Sequence, residues 1–416
     1  MVTSATAGTF VEYYDFAIYG SLAPVLATVF FPEFDSVTAL LSTFAVFAVA
    51  FVARPLGGLI WGPVGDRIGR KRTLSIIIVM ISLATVLIGL IPSYSAIGLA
   101  APVVLILLRL VQGLSAGGEI AGASIFVAEH AHANRRGALV SWIQVATTGA
   151  FLSGIVVAAA LAAFLPAEAM QSWGWRLPFL LAGPLGIVGL YIRLKVAETP
   201  EFESIRKAGK DVRHPLRSTL RDTANLKQIG VAAAYYMPVM VSFYLIMTFM
   251  PSYLKSQMKF SATASLSIIL VAGAVQLVCV PLFGRLSDAL GRRVVLRLAT
   301  GGFILLTYPA FVMLQSGRVV LSVAGLLLLA IPTAAAQANA LQAGLERFPA
   351  AIRFTASAAT FGLLSAIFGG TAPYVSTFLG EATGSALIPG FYLVLTIIPS
   401  FIVSFFASET AREPLR

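Results

Sequence analysis

Charged side chains are scarce in this chain of 416 residues. Only 11% of the residues are Asp, Glu, Lys or Arg, whereas 58% are hydrophobic, and the mean hydropathy is +0.89. Soluble globular domains contain about 25% charged residues, so this composition excludes an ordinary water-soluble protein. Apolar runs that can cross roughly 30 Å of hydrocarbon recur along the whole chain. The sequence therefore predicts a polytopic membrane protein surrounded by a lipid bilayer.

Cysteine and histidine are nearly absent. Cys279 is the only cysteine and lies in an apolar run, which excludes a disulfide framework and a thiolate metal site. The three histidines, His130, His132 and His214, all fall in predicted loops. A polytopic membrane enzyme would need paired catalytic groups, such as a cluster of His and acid, within the membrane. We therefore expect no metal, no cofactor and no enzymatic activity.

Acidic residues are fewer than basic ones, 18 against 29, and the net charge is +11. Most Lys and Arg residues fall in alternate loops and in the C-terminal tail, whereas the opposite loops hold only Arg176, Lys255, Lys259 and Arg318. This asymmetry follows the positive-inside rule and predicts that both termini are cytoplasmic. Binding to nucleic acid is not needed to explain the charge. The first apolar segment has no basic leader and holds acids, so we interpret it as a retained helix.

The apolar runs predict an all-α membrane protein of twelve transmembrane helices. Two six-helix bundles, at 1–197 and 228–416, flank a polar cytoplasmic linker at 198–227. The predicted spans lie near 10–30, 38–63, 73–92, 98–127, 138–163, 175–196, 228–250, 263–283, 294–314, 320–342, 355–379 and 385–406.

The two bundles carry a weak internal repeat. Glu129 and Arg136 are echoed at the same spacing by Glu346 and Arg353. A second echo sets Glu198-Thr199 against Glu409-Thr410. The repeat predicts two pseudo-symmetric halves that rock to expose a central cavity to each side alternately. The longest echo sets Gly62, Asp66, Gly69, Arg70 and Lys71 against Gly284, Asp288, Gly291, Arg292 and Arg293.

The segment from Gly62 to Lys71, which joins spans two and three, resembles the loop signature of the major facilitator superfamily. Its glycines permit a tight turn, and its charges can latch one helix end to another. Ala289 replaces the first arginine in the second copy, which argues against a symmetric second latch. The predicted cytoplasmic gate comprises Asp66, Arg67, Arg70, Glu129, Arg136, Asp288 and Arg292.

Two further segments, Gly8–Phe16 and Phe51–Gly57, resemble the metabolite:proton symporter family, which includes proline/betaine, shikimate, citrate and 2-oxoglutarate carriers. The resemblance implies the major facilitator fold and uptake of a small organic carboxylate or zwitterion driven by proton entry. It also implies a monomeric carrier in a bacterial plasma membrane, with the proton as the only coupling ion.

Carboxylates inside the predicted spans are candidates for proton coupling, because an ionised acid in hydrocarbon costs several kcal/mol. Our hypothesis pairs Asp15 in the first span with Arg109 in the fourth, as the family resemblance implies. Glu119 and Glu12 are alternative proton carriers, and a static ion pair is the alternative role for Asp15 and Arg109. Arg109, Gln112 and Glu119 share one helical face, which predicts either a cavity lining or a packing seam.

Polar and aromatic residues inside the spans are candidates for substrate binding. Arg54 lies deep in the second span and has two possible partners, a substrate carboxylate or one of the acids. Aromatic rings can hold quaternary amines through cation–π contacts, although most such residues only pack. The predicted substrate-binding residues are Tyr14, Tyr19, Arg54, Gln112, Tyr236, Tyr244 and Gln337.

Three other kinds of transport remain open. A facilitative uniporter would not need the membrane acids. A proton-driven exporter of the same fold often has a Gly-Pro signature in the fifth span, which this chain lacks between Gly149 and Ala163. A channel would not need the internal repeat, and saturable flux distinguishes it from a carrier.

Overall fold

The computed structural model describes residues 2–195, 198, 202, 219 and 222–415. Regular structure in this part of the chain is helical, because a helix satisfies its own backbone hydrogen bonds where hydrocarbon offers no partners. The long helices are α1 Val2–Phe30, α2 Ser36–Ile68, α3 Arg70–Leu90, α4 Ala100–His130, α5 Arg136–Phe164, α6 Arg176–Leu194, α7 Thr223–Tyr244, α8 Ala262–Leu290, α9 Arg292–Leu314, α10 Val319–Leu345, α11 Arg353–Leu364 and α12 Ile388–Phe406.

Shorter elements connect or extend these helices. Wide π-helical turns at Leu245–Phe249 and Ser365–Gly369 follow α7 and α11, and lead into helices Met250–Ser256 and Ala372–Thr383. The connections in the first half contain Tyr94–Ile97, Ala133–Arg135, Ala167–Ala169 and a π turn at Met170–Gly174.

Ten of the described helices are long and apolar enough to cross a membrane. Helices α1 and α11 are not among them. Helix α1 carries Glu12, Asp15 and three tyrosines, whereas α11 is interrupted by its wide turn. Twelve membrane crossings therefore remain a prediction, and so does the side on which the termini lie.

Packing inside the two halves follows one pattern. In the first half α1 packs on α5 and α6, α2 on α4, and α3 on α4 and α6. In the second half α7 packs on α11 and α12, α8 on α10, and α9 on α10 and α12. Each contact in one half has its counterpart six helices later, as expected for a duplicated bundle.

The halves meet through α2 with α11 and through α5 with α8. Helices α6, α9 and α12 turn apolar side chains outward, as exposed Ile187, Leu305 and Leu395 show. Exposed apolar area on this scale suits contact with lipid tails. The buried polar groups therefore lie inside each half and along the seam between them.

The signature predicted as an interhelical loop is mostly helical. Helix α2 continues to Ile68, and α3 begins at Arg70. Only Gly69 leaves the helical conformation, with φ 100°, and Gly291 has φ 103° at the corresponding point between α8 and α9. A residue with a side chain would be strained at these angles, so glycine makes both turns possible.

The predicted linker 198–227 lies mainly outside the described residues. Its described C-terminal part, from Thr223, already belongs to α7, which is capped by the Asp222 side chain. Of the echo between Glu198-Thr199 and Glu409-Thr410, Thr199 lies outside the described residues.

Candidate functional site: a buried ion-pair core and an interlocked helix end

Asp15 of α1 and Arg109 of α4 form a buried ion pair. Asp15 Oδ2 accepts a hydrogen bond from Arg109 Nη1 at 2.7 Å. The guanidinium carbon of Arg109 lies 3.7 Å from the ring centroid of Tyr19, whose hydroxyl donates to the carbonyl of Thr43. Asp15 Oδ1 and Arg109 Nε and Nη2 make no further hydrogen bond. The pair is therefore held by a single hydrogen bond and one stacked ring.

Arg54 of α2 lies where the two halves meet. Its Nη2 donates to Glu12 Oε1 of α1 at 2.9 Å. Its Nη1 donates to the Tyr244 hydroxyl at 3.1 Å and to Ser365 Oγ at 2.9 Å, both in the second half. Of the two partners that the sequence left open, the structure therefore gives Arg54 an acid, Glu12.

The wide turns place the two hydroxyls that contact Arg54. Tyr244 is the last residue before the wide turn that follows α7, and Ser365 is the first residue of the one that follows α11. Wide turns of this kind occur often at functional sites, since they shift the helix face that follows. Both halves therefore contribute to one buried polar centre.

Glu119 pairs with an arginine of α6. It accepts a hydrogen bond from Arg193 Nη2 of α6 at 3.2 Å. Arg193 also donates to the carbonyls of Leu74 and Ala5. Glu119 thus fastens α4 to α6 within the first half.

Four other predicted substrate residues are spread over the molecule. The Tyr14 hydroxyl donates to the Pro178 carbonyl of α6. Gln112 Nε2 donates to the Thr85 hydroxyl of α3 at 2.8 Å. The structure does not bring these two side chains to the seam between the halves. Tyr236 packs its edge against Phe361, and Gln337 donates to Thr148 across the seam at 3.3 Å.

Charged groups join the two halves at one end of the bundle. We call these groups, which form two similar copies, the latch. In its first copy Asp66 accepts hydrogen bonds from the N–H and hydroxyl of Thr355, at 3.0 and 2.8 Å. Glu129 pairs with Arg70 of its own half at 3.3 Å and with Arg353 of the other half at 2.7 Å.

The second copy of the latch repeats the first. Asp288 accepts from the N–H groups of Gly137 and Ala138 at 2.7 and 2.8 Å. Glu346 pairs with Arg292 of its own half and with Arg136 of the other half, at 2.9 Å each.

Ala289, which argued against a symmetric second latch, therefore does not stop the second copy from forming. Its first-half counterpart, Arg67, is exposed at the end of α2, whereas the arginines that pair across the seam are buried. At Ala289 the backbone carbonyl accepts from Arg412 instead, at 2.8 Å.

Glu198 and Glu409 complete the repeat. Glu198 accepts from the backbone N–H groups of Arg70 and Lys71, and Glu409 from those of Arg292 and Arg293. Burial raises the pKa of Glu409, but backbone hydrogen bonds outweigh it and hold the pKa below its usual range. Each carboxylate therefore caps the N-terminus of α3 or α9.

Sequence reasoning missed several residues of the core. Phe16 and Phe51 face the Arg54 guanidinium, and their helical spacing from Glu12 and Arg54 was the available signal. Arg193 lay inside the predicted sixth span, and an arginine inside a span is a candidate for pairing with a buried acid. Ser365 offered no signal, because an isolated serine in an apolar run usually only packs. Within the described residues, no group of three His, Cys, Asp or Glu could hold a metal ion.

The sequence model of the Major Facilitator Superfamily matches residues 5–373. The chain belongs to this superfamily. It is 36% identical over 422 residues to a glycine betaine/proline/ectoine/pipecolic acid transporter, OusA, of Dickeya dadantii (strain 3937). It is 35% identical over 428 residues to a proline/betaine transporter of Escherichia coli (strain K12). Each match covers 100% of this chain and 84% of the relative.

These relatives identify this superfamily member as one of the metabolite:proton symporters, and thus as a transporter and not an enzyme. A solved structure of the proton:xylose symporter XylE bound to 6-bromo-6-deoxy-D-glucose has the same fold, with a TM-score of 0.82 at 20% identity. That match covers 100% of this chain and 97% of the other.

Proposed function

We propose that the protein is a proton-coupled symporter that takes up a small zwitterion or carboxylate across a bacterial plasma membrane. It works as a monomer with twelve membrane crossings and both termini in the cytoplasm. The names of its relatives favour ammonium carboxylates such as proline and betaine. The observation that carries the proposal is the buried pair of Asp15 and Arg109 beside the polar centre at Arg54.

Asp15 is the proposed proton site. When Asp15 binds a proton, its attraction to Arg109 falls, and the single hydrogen bond between them weakens. The Tyr19 ring continues to hold the Arg109 cation after that change, since cation–π attraction does not depend on Asp15. Loading and release of the proton thereby change how α1 packs on α4.

Helix α1 links the proton to the substrate. Glu12 and Asp15 lie three residues apart, so one helical segment carries the partner of Arg54 and the partner of Arg109. A shift of α1 that follows protonation therefore reaches the centre between the halves directly.

The latch supplies the gate of the proposed cycle. Its end of the bundle is the one that the basic residues predict to be cytoplasmic. With both copies closed, the centre is sealed on that side. Release to the cytoplasm requires Arg136 and Arg353 to leave the carboxylates of the opposite half.

The test measures uptake of labelled glycine betaine, proline, shikimate and citrate into proteoliposomes, with and without an inward proton gradient. We expect accumulation of one solute only with the gradient. Asp15→Asn should exchange that solute across the membrane but fail to concentrate it. Glu168→Gln, an exposed carboxylate, is the matched control and should behave as wild type.

Accumulation that ignores the gradient would contradict the coupling and favour a uniporter. Expulsion of loaded solute by an inward gradient would identify an exporter. Concentrative uptake by Asp15→Asn would show that another carboxylate binds the transported proton.

A further inference from the structure

The Arg54 guanidinium is enclosed by aromatic rings. Its carbon lies 4.5 Å from the ring centroid of Phe16, 4.6 Å from that of Phe51 and 5.9 Å from that of Tyr13. We call these three rings the aromatic box. The Tyr244 ring closes it from the second half, edge to face with Phe51 at 5.4 Å between centroids.

The aromatic box has the chemistry of a site for an organic ammonium ion. Ring faces attract weakly hydrated cations such as quaternary amines, especially where water is excluded. Glu12 adds the anion that a buried cation requires. Arg54 is 2% exposed, so the box is closed to the solvent outside and its occupant is a side chain of the protein.

We propose that Arg54 occupies the position of the substrate's ammonium group, and that a zwitterionic substrate inserts between Glu12 and Arg54. This inference rests on the proposed transport of a small organic solute. The ammonium group enters the aromatic box beside Glu12, and the displaced guanidinium pairs with the substrate carboxylate. Arg54 thus acts first as a stand-in for the substrate and then as its ligand.

Charge balance gives the arrangement its selectivity. Glu12 and Arg54 together are neutral, and a zwitterion inserted between them leaves the centre neutral with charges alternating in sign. A simple carboxylate would leave one uncompensated negative charge in the buried centre, and a simple ammonium ion would leave one positive charge. Either excess is costly where water is excluded.

Ser365 and Tyr244 support the exchange from the second half. Each hydroxyl now accepts a hydrogen bond from Arg54. A hydroxyl can also donate, so the same groups can stabilise a carboxylate that follows Arg54. Binding of the zwitterion would therefore replace contacts between the halves with contacts through the substrate.

The test measures equilibrium binding by the full chain in nanodiscs, from thermal stabilisation against ligand concentration. The probes are glycine betaine, choline, which lacks the carboxylate, and 3,3-dimethylbutyrate, which lacks the positive charge. The variants are Arg54→Ala and Glu12→Gln. Arg318→Ala, which removes an exposed arginine, is the control for lost charge.

Wild type and the control should bind glycine betaine at least about tenfold more tightly than either analogue. Arg54→Ala should reverse the preference in favour of choline, because the box is vacated and Glu12 remains. Glu12→Gln should reverse it in favour of 3,3-dimethylbutyrate, because Arg54 remains. If Arg54→Ala does not fold, Arg54→Gln tests the same point.

Each outcome decides the inference separately from the proposed function. If both variants keep the wild-type order of ligand affinities, the proposed role of the aromatic box is wrong, while the proposed transport of a zwitterion stands. If wild type binds none of the three probes but Arg54→Ala binds choline, the box stands and the proposed substrate is wrong. If no form of the protein binds any probe, the inference is overturned, and uptake of proline, shikimate and citrate still decides the proposed function.

Discussion

Among the buried carboxylates of the first half, Glu12, Asp15 and Glu119 each pair with a different arginine. Helical spacing predicted that Arg109 and Glu119 share a face of α4, and the structure gives both a buried partner. The partner of Glu119 could not be predicted, because spacing along one helix does not say which other helix packs there. Arg193 lies near the C-terminal end of α6, where basic residues are common, and the ion pair with Glu119 reveals its role.

At this scale we predict that Glu119→Gln lowers stability without affecting proton coupling. Removal of the charge leaves the buried Arg193 guanidinium without its paired carboxylate, which costs about 3–5 kcal/mol. The variant should unfold at lower temperature than wild type yet still accumulate solute with the gradient. Loss of accumulation in a folded Glu119→Gln would instead assign a proton site to α4.

Helices α2 and α11 approach each other closely along the latch end, and glycine makes the approach possible. A Cβ at Gly62 would lie 2.6 Å from the Cα of Thr355. The same contact recurs between α8 and α5, where a Cβ at Gly284 would lie 2.9 Å from the carbonyl of Gly137. The repeat predicted the glycines, but the wide turn at Ser365–Gly369 had no local sequence signal, since tertiary packing determines it.

Gly62→Ala should therefore shift the protein away from the closed latch. The added methyl group meets backbone, which cannot rotate away as a side chain can. Spin labels at Ile68→Cys and Leu290→Cys in a Cys279→Ser background would report the distance across this end, and the short-distance population should fall. Gly230→Ala is the control, because a Cβ there meets nothing within 4 Å. An unchanged distance distribution in Gly62→Ala would contradict this role.

The whole molecule is held shut at one end by two equivalent copies of the latch. Asp288 pairs with Arg292 as Asp66 pairs with Arg70, at the positions that the repeat sets against each other. Ala289 argued against a second latch, but the arginine that it replaces, Arg67, is exposed, whereas Arg70 and Arg292 are buried. Sequence alone could not separate the two arginines, because both lie beside the same glycine turn.

Equivalence of the copies predicts that Glu129→Gln and Glu346→Gln open the latch to a similar extent. Each variant removes the carboxylate that joins an arginine of its own half to an arginine of the other half, so the closed state should lose about 3–5 kcal/mol. The same spin-label pair would show both variants with a larger open fraction. A larger open fraction in only one variant would mean that the other copy does not stabilise the closed state.

Arg136 and Arg353 each pair with a carboxylate of the opposite half. These reciprocal pairs have the geometry of an isologous dimer interface, in which each partner makes the same contact with the other. Two copies of one ancestral six-helix protein, facing each other about a two-fold axis, would make this set of pairs without any linker. The present chain keeps that self-complementary surface although its two parts have diverged elsewhere. Its interlocked end therefore has the reciprocal contacts of a homodimer interface within one chain.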